Sequence, residues 1–435
     1  MKALPPIARD LTYSCRLVDC PRDPLRLLEN SAENARFFWQ SPDSGLTVIA
    51  TGIAAEIRAC GSGRFQRASR EALSLLSSLQ PANGGALAKP LLLAGFGFSD
   101  SAGPDPAWNA FPPARLCLPR RQWLIRNGSC QLIDIVGGGA GPLERDSAAD
   151  ASGDPRGVSS LEPSVEDQPC WQERAAEALS LIAGGKLAKV VLAHSIFLTL
   201  PHTDPTRIIE RMRRQRKKCF HYMFAFASGV FLGSTPELLV SLGGGRMKSS
   251  VLAGTIGRGR DAIEDDELGK ELLLCSKNGR EHALVLRDVL RGFEVLGDGT
   301  VFDDGPSLLR LPEAQHLQTI VSAKAKAGFT VVEAAGRFHP TPAVCGTPPQ
   351  TALELIERHE DRGWYSGVVG WMDATGGGEL AVALRSALLG PSGARLWAGA
   401  GIVEGSSPAG EFLESKTKMA AMARLLTDGE SSCAA

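Results

Sequence analysis

Hydrophobic and polar residues divide the chain into two parts with different patterns. Up to about residue 135, short apolar runs bounded by Gly, Pro, Asp or Ser are typical of strands. The predicted strands are 37–40, 46–50, 91–96 and 122–125. One helix, at about 67–80, interrupts them.

After Pro169 the pattern changes to alternating helices and strands. The predicted helices are 170–184, 204–218, 264–292, 350–359 and 408–426. The predicted strands are 189–194, 221–232, 237–242, 316–325 and 395–403, with a hairpin pairing 365–373 and 379–389. These strand runs are long, which is typical of antiparallel sheets.

Between the two parts, residues 137–165 are rich in Gly, Ala, Ser and Asp and poor in large apolar side chains. This composition predicts a flexible surface connection. We therefore expect an N-terminal β-rich portion at 1–136, the connection at 137–165, a catalytic region at 166–427 and a short tail at 428–435.

Composition excludes some classes of function. The chain has 435 residues and a net charge of −1, from 47 Lys and Arg against 48 Asp and Glu, so nothing favours binding to nucleic acid or to a membrane surface. A basic run at 211–218 continues a predicted helix, and we expect it to be a solvated helix face.

The ten cysteines include no Cys-x-x-Cys pair. A chain of this length does not need disulfides for stability, so reduced thiols and a cytoplasmic location are expected. The N-terminus lacks the apolar core of a signal peptide, and no uncharged run is long enough to span a membrane.

The most informative segment is the last predicted helix. Ser407 and Pro408 are typical of a helix start, and Glu411, Glu414 and Lys418 then follow at spacings of three and four residues on one face. Upstream, the helix that contains Ser276 to His282 carries Glu281. Either these are solvated helix faces, or three carboxylates form a site for a hard cation, for which magnesium is better suited than zinc.

Four other features point to chemistry. Gly399 and Gly401 interrupt the apolar strand before that helix, which often marks close approach of the backbone to a ligand. Lys189 opens an apolar strand, where a buried lysine can act as a base, and Glu237 follows a turn in a setting that can raise a carboxyl pKa. Arg385 lies on the apolar face of its strand and requires a carboxylate partner from protein or ligand.

These residues, in their order along the chain, resemble those of the chorismate-binding enzyme family. That family comprises isochorismate synthases, salicylate synthases, and the large subunits of anthranilate and aminodeoxychorismate synthases. The segments that carry the resemblance, in family order, are 189–194, 233–238, 252–255, 276–282, 315–317, 339–348, 362–367, 378–385 and 398–418. The resemblance implies an α+β fold of two large, mostly antiparallel β-sheets stacked together with helices outside.

The resemblance also implies roles for individual residues. Lys189 matches the base that activates water for attack at C2 of chorismate, and Glu237 matches the acid that protonates the departing C4 hydroxyl. Glu281 and Glu414 match ligands of a magnesium ion, with Glu411 a ligand directly or through water. The remaining implied positions, which contact the substrate or lie beside the metal, are Gly254, Thr255, His316, Ala343, Tyr365, Arg385, Gly399, Gly401 and Lys418.

Two features select among the family's activities. Lys189 argues for water as nucleophile, because anthranilate-type enzymes, which use ammonia from an amidotransferase partner, usually lack it. Ala343 stands where salicylate synthases typically carry Thr, and the loop 339–342 differs from theirs. The expectation is a monomeric isochorismate synthase feeding siderophore or salicylate synthesis, with a salicylate synthase or a non-catalytic chorismate-binding protein as alternatives. One departure is His194, where the family usually has Arg.

Overall fold

The computed structural model describes residues 11–82, 88–137, 164–165, 168–200 and 203–427. Apart from residues 137, 164 and 165, the predicted connection at 137–165 lies outside these ranges. The tail at 428–435 lies outside them as well.

Within the described ranges, strands alternate irregularly with helices. The strands are β1 (Thr12–Val18), β2 (Arg36–Gln40), β3 (Thr47–Thr51), β4 (Ala55–Arg58), β5 (Gln80–Pro81), β6 (Leu92–Phe96), β7 (Ala114–Leu118), β8 (Arg121–Arg126), β9 (Ser129–Val136), β10 (Ser164–Val165), β11 (Lys189–Thr199), β12 (Phe220–Phe226), β13 (Gly229–Thr235), β14 (Leu238–Gly243), β15 (Arg246–Gly257), β16 (Gly297–Phe302), β17 (Ser307–Arg310), β18 (Ala314–Ala325), β19 (Gly346–Thr347), β20 (Val368–Met372), β21 (Gly378–Val382), β22 (Ser386–Gly390) and β23 (Gly393–Val403). The helices are α1 (Arg26–Glu29), α2 (Arg64–Ser78), α3 (Gln168–Ala183), α4 (Pro205–Gln215), α5 (Ala262–Leu274), α6 (Ser276–Leu296), α7 (Val331–Phe338), α8 (Pro349–His359) and α9 (Pro408–Leu426).

Two large sheets contain all of these strands. In the described residues the first sheet has the order β10-β11-β23-β22-β13-β12-β2-β3-β8-β9-β1-β5, with β19 paired to β11. The second has the order β16-β18-β15-β14-β21-β20-β6-β7-β4, with β17 paired to β18. Neighbouring strands are antiparallel except for the short parallel pair of β1 and β5. The predicted α+β fold with two large, mostly antiparallel sheets is confirmed.

The N-terminal strands form one end of each sheet, next to strands from the C-terminal part. Strand β2 pairs with β12 in the first sheet, and β6 pairs with β20 in the second. Both sheets therefore depend on strands from both parts of the sequence.

The sheets pack face to face, and the alternation along each strand shows how. In β12, Tyr222 and Phe224 join an aromatic cluster between the sheets, while Met223 packs on the opposite face. That outer face is covered by α4 and α9, through residues such as Ile208 and Met422. Strands with both faces buried become continuous apolar runs, which is why they were visible in the sequence.

Helices α2, α6 and α7 cover the outer face of the second sheet. They contribute Phe65, Val289 and Phe338 to its hydrophobic cluster, which also contains Phe96 of β6. Across the described chain, none of the helices combines the length and apolarity needed to span a bilayer. The nine cysteines in the described ranges are free thiols.

The helix predicted over 264–292 is wrong as a single element. It is two helices, α5 and α6, separated at Cys275, whose backbone is extended (φ −68°, ψ 111°). The break allows α6 to leave the direction of α5 and to pack along β15. Lys277 and Glu281 therefore belong to the first turns of a new helix.

The predicted solvated face at 211–218 is wrong for Arg216. Helix α4 ends at Gln215, and Arg216 turns inward, where only 4% of the residue is exposed. By contrast, Arg214 remains at the surface in an ion pair with Glu210.

Candidate active site

One pocket gathers nearly all of the predicted site residues. Those that line it are Glu237, Gly254, Thr255, Glu281, His316, Ala343, Tyr365, Arg385, Gly399, Gly401, Glu411, Glu414 and Lys418. They come from strands of both sheets, from α6 and α9, and from four connecting loops. Lys189 is the one predicted residue that is not part of the lining.

Lys189 lies directly behind the pocket wall, at the start of β11, and none of its side chain is exposed. Its Nζ lies 2.8 Å from Glu281 Oε1. A Cβ on Gly401, which pairs with Val191 on the neighbouring strand, would lie 2.8 Å from that same oxygen and 3.3 Å from Lys189 Cε. The Lys189–Glu281 ion pair therefore occupies the space that a side chain at position 401 would fill.

Burial and the neighbouring lysines shift the pKa of the Glu281 carboxyl in opposite directions. Burial raises the pKa of its carboxyl, but the positive charges of Lys189, Lys418 and Lys277 together outweigh burial, so that the pKa lies below its ordinary value. Glu281 is therefore ionised at neutral pH.

Glu237 lies in the short turn between β13 and β14 and is 6% exposed. The turn is held by a hydrogen bond from the Glu237 amide to Thr235 Oγ1 (3.2 Å) and one from the Val382 amide to the Glu237 carbonyl (3.0 Å). Burial raises the pKa of the Glu237 carboxyl to about 8, although the positive charge of Lys189 acts to lower it. The side chain is therefore a protonated acid at neutral pH.

Each of the three carboxylates predicted to bind metal forms an ion pair with a lysine. Besides the Glu281–Lys189 pair, Glu411 Oε1 lies 2.8 Å from Lys277 Nζ, and Glu414 Oε1 lies 2.7 Å from Lys418 Nζ. Ser406 Oγ also donates to Glu411 at 2.8 Å. Among the described residues, no group of three acidic, His or Cys side chains is close enough together to hold a metal ion as placed.

The donor chemistry of this set nevertheless fits magnesium. Glu281, Glu411 and Glu414 all line one pocket and offer only carboxylate oxygen, the ligand type that this ion prefers. In this structure Lys189, Lys277 and Lys418 neutralise the charges of these three carboxylates. Metal binding would require the carboxylates to exchange an ammonium partner for the cation.

On the other side of the pocket, Arg385 and His316 form a hydrogen-bonded pair. Arg385 Nη2 lies 3.3 Å from His316 Nε2, and His316 Nδ1 lies 3.0 Å from Thr255 Oγ1. Because a guanidinium only donates, Nε2 is the accepting nitrogen and Nδ1 carries the proton. Burial, with Arg385 adding to its effect, holds the pKa of His316 well below its ordinary value, so this ring is neutral.

The backbone at Arg385 is unusual as well. Its φ is +48°, in the left-handed region that few non-glycine residues adopt. Ser234 donates its amide to the Arg385 carbonyl (3.1 Å), and the Tyr222 hydroxyl donates to the Leu384 carbonyl (3.2 Å). Strands β12 and β13 thereby hold the turn that directs Arg385 into the pocket.

Tyr365 and the glycines of β23 form a further part of the wall. A Cβ placed on Gly399 would lie 3.4 Å from the Tyr365 hydroxyl. The Tyr365 ring stacks on Trp397. Burial raises the pKa of Tyr365 to about 12, so that the phenol keeps its proton and can donate. The Gly399 carbonyl accepts from Lys418 (3.1 Å), which ties α9 to this strand.

Gly254 lies at a bulge where the register of β15 against β18 shifts. Its φ is +81°, and a Cβ there would lie 3.1 Å from Asn278 Cβ on α6. Both observations favour glycine. The bulge directs Thr255 toward His316.

His194 does not form an ion pair. Its ring stacks on Phe412 and contacts Trp171 edge-on, and its Nε2 lies 2.6 Å from Ser415 Oγ. Ser415 Oγ donates to the Phe412 carbonyl (2.7 Å), so Nε2 carries the proton. Burial, followed by the charges of Arg174 and Lys416, lowers the pKa of His194 to about 4. The neutral ring therefore attaches β11 to α9.

Three residues around the pocket were not assigned roles from the sequence. Lys277 binds Glu411, and its position four residues before Glu281 on α6 was the available signal. Arg362 lines the pocket and donates to the carbonyls of Val191 (2.7 Å) and Val344 (2.8 Å), joining β11 to the loop that carries Ala343. Glu313 is the carboxylate partner that Arg385 required.

Comparison with known proteins gives a consistent picture. The profile of the chorismate binding enzyme family matches residues 10–137 and 141–427. The chain is 34% identical over 426 residues to the salicylate biosynthesis isochorismate synthase of Pseudomonas aeruginosa, covering 94% of this chain and 88% of that protein. It is 28% identical over 433 residues to the isochorismate synthase MenF of Bacillus subtilis, covering 92% and 90%.

Solved structures share the fold. The menaquinone-specific isochorismate synthase MenF of Escherichia coli superposes with a TM-score of 0.78 at 24% identity, covering 98% of this chain and 97% of that one. Anthranilate synthase component I of Streptococcus pneumoniae superposes with a TM-score of 0.67 at 18% identity, covering 87% and 92%. At these identities the structural likeness concerns the fold alone.

Proposed function

The chain belongs to the chorismate-binding enzyme family, and from this we propose that it is an isochorismate synthase, an isomerase that converts chorismate into isochorismate. The observation that carries the proposal is the presence of Lys189 behind the pocket wall at Gly401 and of Glu237 in the lining of the same pocket. A buried lysine and a buried carboxylic acid that keeps its proton at neutral pH lie close enough for the lysine's charge to act on the acid.

The reaction exchanges one hydroxyl for another. Water attacks C2 of the ring while Lys189 takes its proton, the double bonds shift, and the C4–oxygen bond breaks. Glu237 gives its proton to the departing hydroxyl, which leaves as water. One water enters and one leaves, and the exchange needs an acid and a base that are available together.

Lys189 can accept a proton only as the neutral amine. In this structure its Nζ lies 2.8 Å from Glu281 Oε1, and this ion pair must open in the working enzyme. Glu237 already holds the proton that the leaving group requires. The site therefore has its acid ready, and its base becomes available once Glu281 moves.

We further propose that Glu281, Glu411 and Glu414 hold a magnesium ion. When bound, this ion would neutralise the ring carboxylate of chorismate. Arg385 and Tyr365 are proposed to bind the enolpyruvyl carboxylate, with the amide groups near Gly399 and Gly401. Arg385 offers paired donors of the geometry a carboxylate accepts, and Tyr365 offers a hydroxyl that stays protonated.

The product is proposed to enter siderophore or salicylate synthesis, in line with the name of the Pseudomonas relative. Water as the nucleophile means that no glutamine amidotransferase subunit is needed, and we propose that the chain acts as a monomer. Ala343 lines the pocket where salicylate synthases carry Thr, which supports a reaction that stops at isochorismate.

The test is an assay of the purified chain with chorismate and magnesium, in which isochorismate and pyruvate are both measured. Isochorismate without sustained pyruvate release is the expected result. Continued pyruvate release would identify a salicylate synthase instead. Unchanged chorismate, with binding detected by calorimetry, would identify a non-catalytic binding protein.

A further inference from the structure

A partly buried carboxylate lies between the proposed substrate-binding arginine and a second arginine. Glu313 follows β17 in the short turn before β18, and 12% of its side chain is exposed. Its Oε1 accepts from Arg385 Nη1 and lies 3.2 Å from Arg216 Nη2. A single carboxylate oxygen therefore serves two guanidinium groups.

Arg216 depends strongly on this contact. It is 4% exposed, its Nη1 has no hydrogen-bond partner among the described residues, and Nη2 otherwise reaches only the Ala421 carbonyl at 3.3 Å. An unpaired charge at such a position is costly. Without Glu313, the buried Arg216 and the partly buried Arg385 would repel each other with no anion between them.

The charges of this cluster add to +1. Arg216 and Arg385 contribute two positive charges and Glu313 one negative charge, while the neighbouring His316 is neutral. One uncompensated positive charge beside a pocket is suited to one incoming carboxylate. Because Arg216 lies behind Glu313, this excess charge is presented to the pocket through Arg385.

Arg385 has few other constraints on its side chain. Ser234 and Tyr222 hold its backbone turn, but the guanidinium itself is oriented by Glu313 on one side and by His316 on the other. Glu313 thus controls both the direction of the guanidinium and the charge around it.

We propose that Glu313 is a positioning residue for substrate binding, holding Arg385 in the orientation in which it receives the enolpyruvyl carboxylate of chorismate. The proposal rests on the proposed function of the pocket. It concerns binding and not the chemical step, because Glu313 lies behind Arg385 and contacts neither Lys189 nor Glu237.

The experiment is steady-state kinetics of Glu313→Gln, which keeps the shape of the side chain and removes its charge. We expect KM for chorismate to rise about tenfold or more with kcat within about threefold, the pattern for a binding interaction that is equal in ground and transition states. Glu313→Asp, which keeps the charge, is expected to recover part of the loss. Glu177→Gln is the matched control, since Glu177 pairs with Arg358 and His359 away from the pocket.

A double-mutant cycle tests whether Glu313 acts through Arg385. In an Arg385→Lys background, Glu313→Gln is expected to raise KM by less than about twofold, because the group that it orients is already gone. Where Glu313→Gln alone does not fold, the double variant Arg216→Gln, Glu313→Gln removes one charge of each sign and is measured in its place. A KM equal to that of the wild type in the folded variant, or a loss confined to kcat, would overturn the proposal.

The same measurements distinguish a failure of the proposed isochorismate synthase activity from a failure of the proposed role of Glu313. If the wild-type chain makes no isochorismate, the reaction assigned to the pocket is wrong whatever the variants do. If the wild type is active and Glu313→Gln retains its KM, only the role of Glu313 is wrong. Calorimetric titration of chorismate into the Lys189→Ala variant, with and without Glu313→Gln, measures the same loss of affinity without turnover.

Discussion

The Lys189 ammonium lies 2.8 Å from the Glu281 carboxylate, in the space left open by the missing side chain of Gly401. This contact joins two groups with different proposed roles, the base for water and a ligand for the metal ion. It also explains why a strand buried between its neighbours carries a glycine at this position.

Replacing Lys189 tests the proposed base. Lys189→Ala is expected to lower kcat by about 10²–10⁴-fold, the usual contribution of a positioned general base, while chorismate still binds measurably by calorimetry. Lys186→Ala, an exposed lysine just before β11, is the control and should behave as the wild type. Full activity of Lys189→Ala would remove the proposed base.

A methyl group at position 401 tests the geometry of the ion pair. In Gly401→Ala the new Cβ would lie 2.8 Å from Glu281 Oε1, so the carboxylate must move away from Lys189. We expect kcat/KM to fall at least about tenfold, since small displacements at a reacting centre are costly. Gly390→Ala, where no atom lies within 4 Å of the new Cβ, is the matched control. Equal activity of the two variants would contradict the description of the pocket wall.

The protonation of Glu237 sets the expected pH dependence of activity. The acid works only when protonated, and its pKa in the free enzyme is about 8. Because Lys189 must also be the neutral amine, loss of the Glu237 proton is expected to lower the slope of log(kcat/KM) against pH by about one unit as the pH rises through about 8, since kcat/KM reports groups of the free enzyme. A profile with no downward bend between about pH 6 and pH 9 would exclude Glu237 as the acid.

The same carboxyl should also make stability depend on pH. Its pKa is raised from 4.5 to about 8 on folding, so between these values the folded chain retains a proton that the unfolded chain has lost. The free energy of unfolding therefore falls across this range as the pH rises. Urea unfolding at pH 5 and at pH 8 should show a smaller fall for Glu237→Gln than for the wild type, and an identical fall would contradict the raised pKa.

Much of this site could be predicted from the sequence because its residues lie in segments with strong local signals. Ser407 and Pro408 start α9 as expected, and the spacing of Glu411, Glu414 and Lys418 on that helix placed them together. Strands buried on both faces, such as β12, were visible as apolar runs. Local pattern and tertiary structure agreed at these positions.

The features that the sequence did not predict depend on contacts between distant segments of the chain. Strand β15 was missed because Lys248, Ser249 and Ser250 interrupt its apolar pattern, although the two serines are buried. The Lys277–Glu411 pair joins residues 134 positions apart, and the burial of Arg216 depends on Glu313 from another element. No local spacing indicates such pairs.

The family's arginine is not expected to be tolerated at position 194. In His194→Arg a permanent charge would enter a space formed by Trp171, Phe412 and Ser415, near the positive charges of Arg174 and Lys416. A buried charge without a partner costs about 3–5 kcal/mol, and we expect a loss of that size in urea unfolding. His194→Gln, which can still donate to Ser415, should lose less. Wild-type stability of His194→Arg would show that a partner for the charge exists.

The central claim is that water replaces one hydroxyl of the ring, activated by Lys189 and assisted by Glu237. Mass spectrometry of isochorismate formed in ¹⁸O-labelled water tests this most directly. The account predicts one ¹⁸O atom per product molecule, at C2, and no product from Lys189→Ala above the residual rate. Isochorismate that carries only unlabelled oxygen at C2 would show that the hydroxyl migrates within the substrate, and the proposed roles of Lys189 and Glu237 would be wrong.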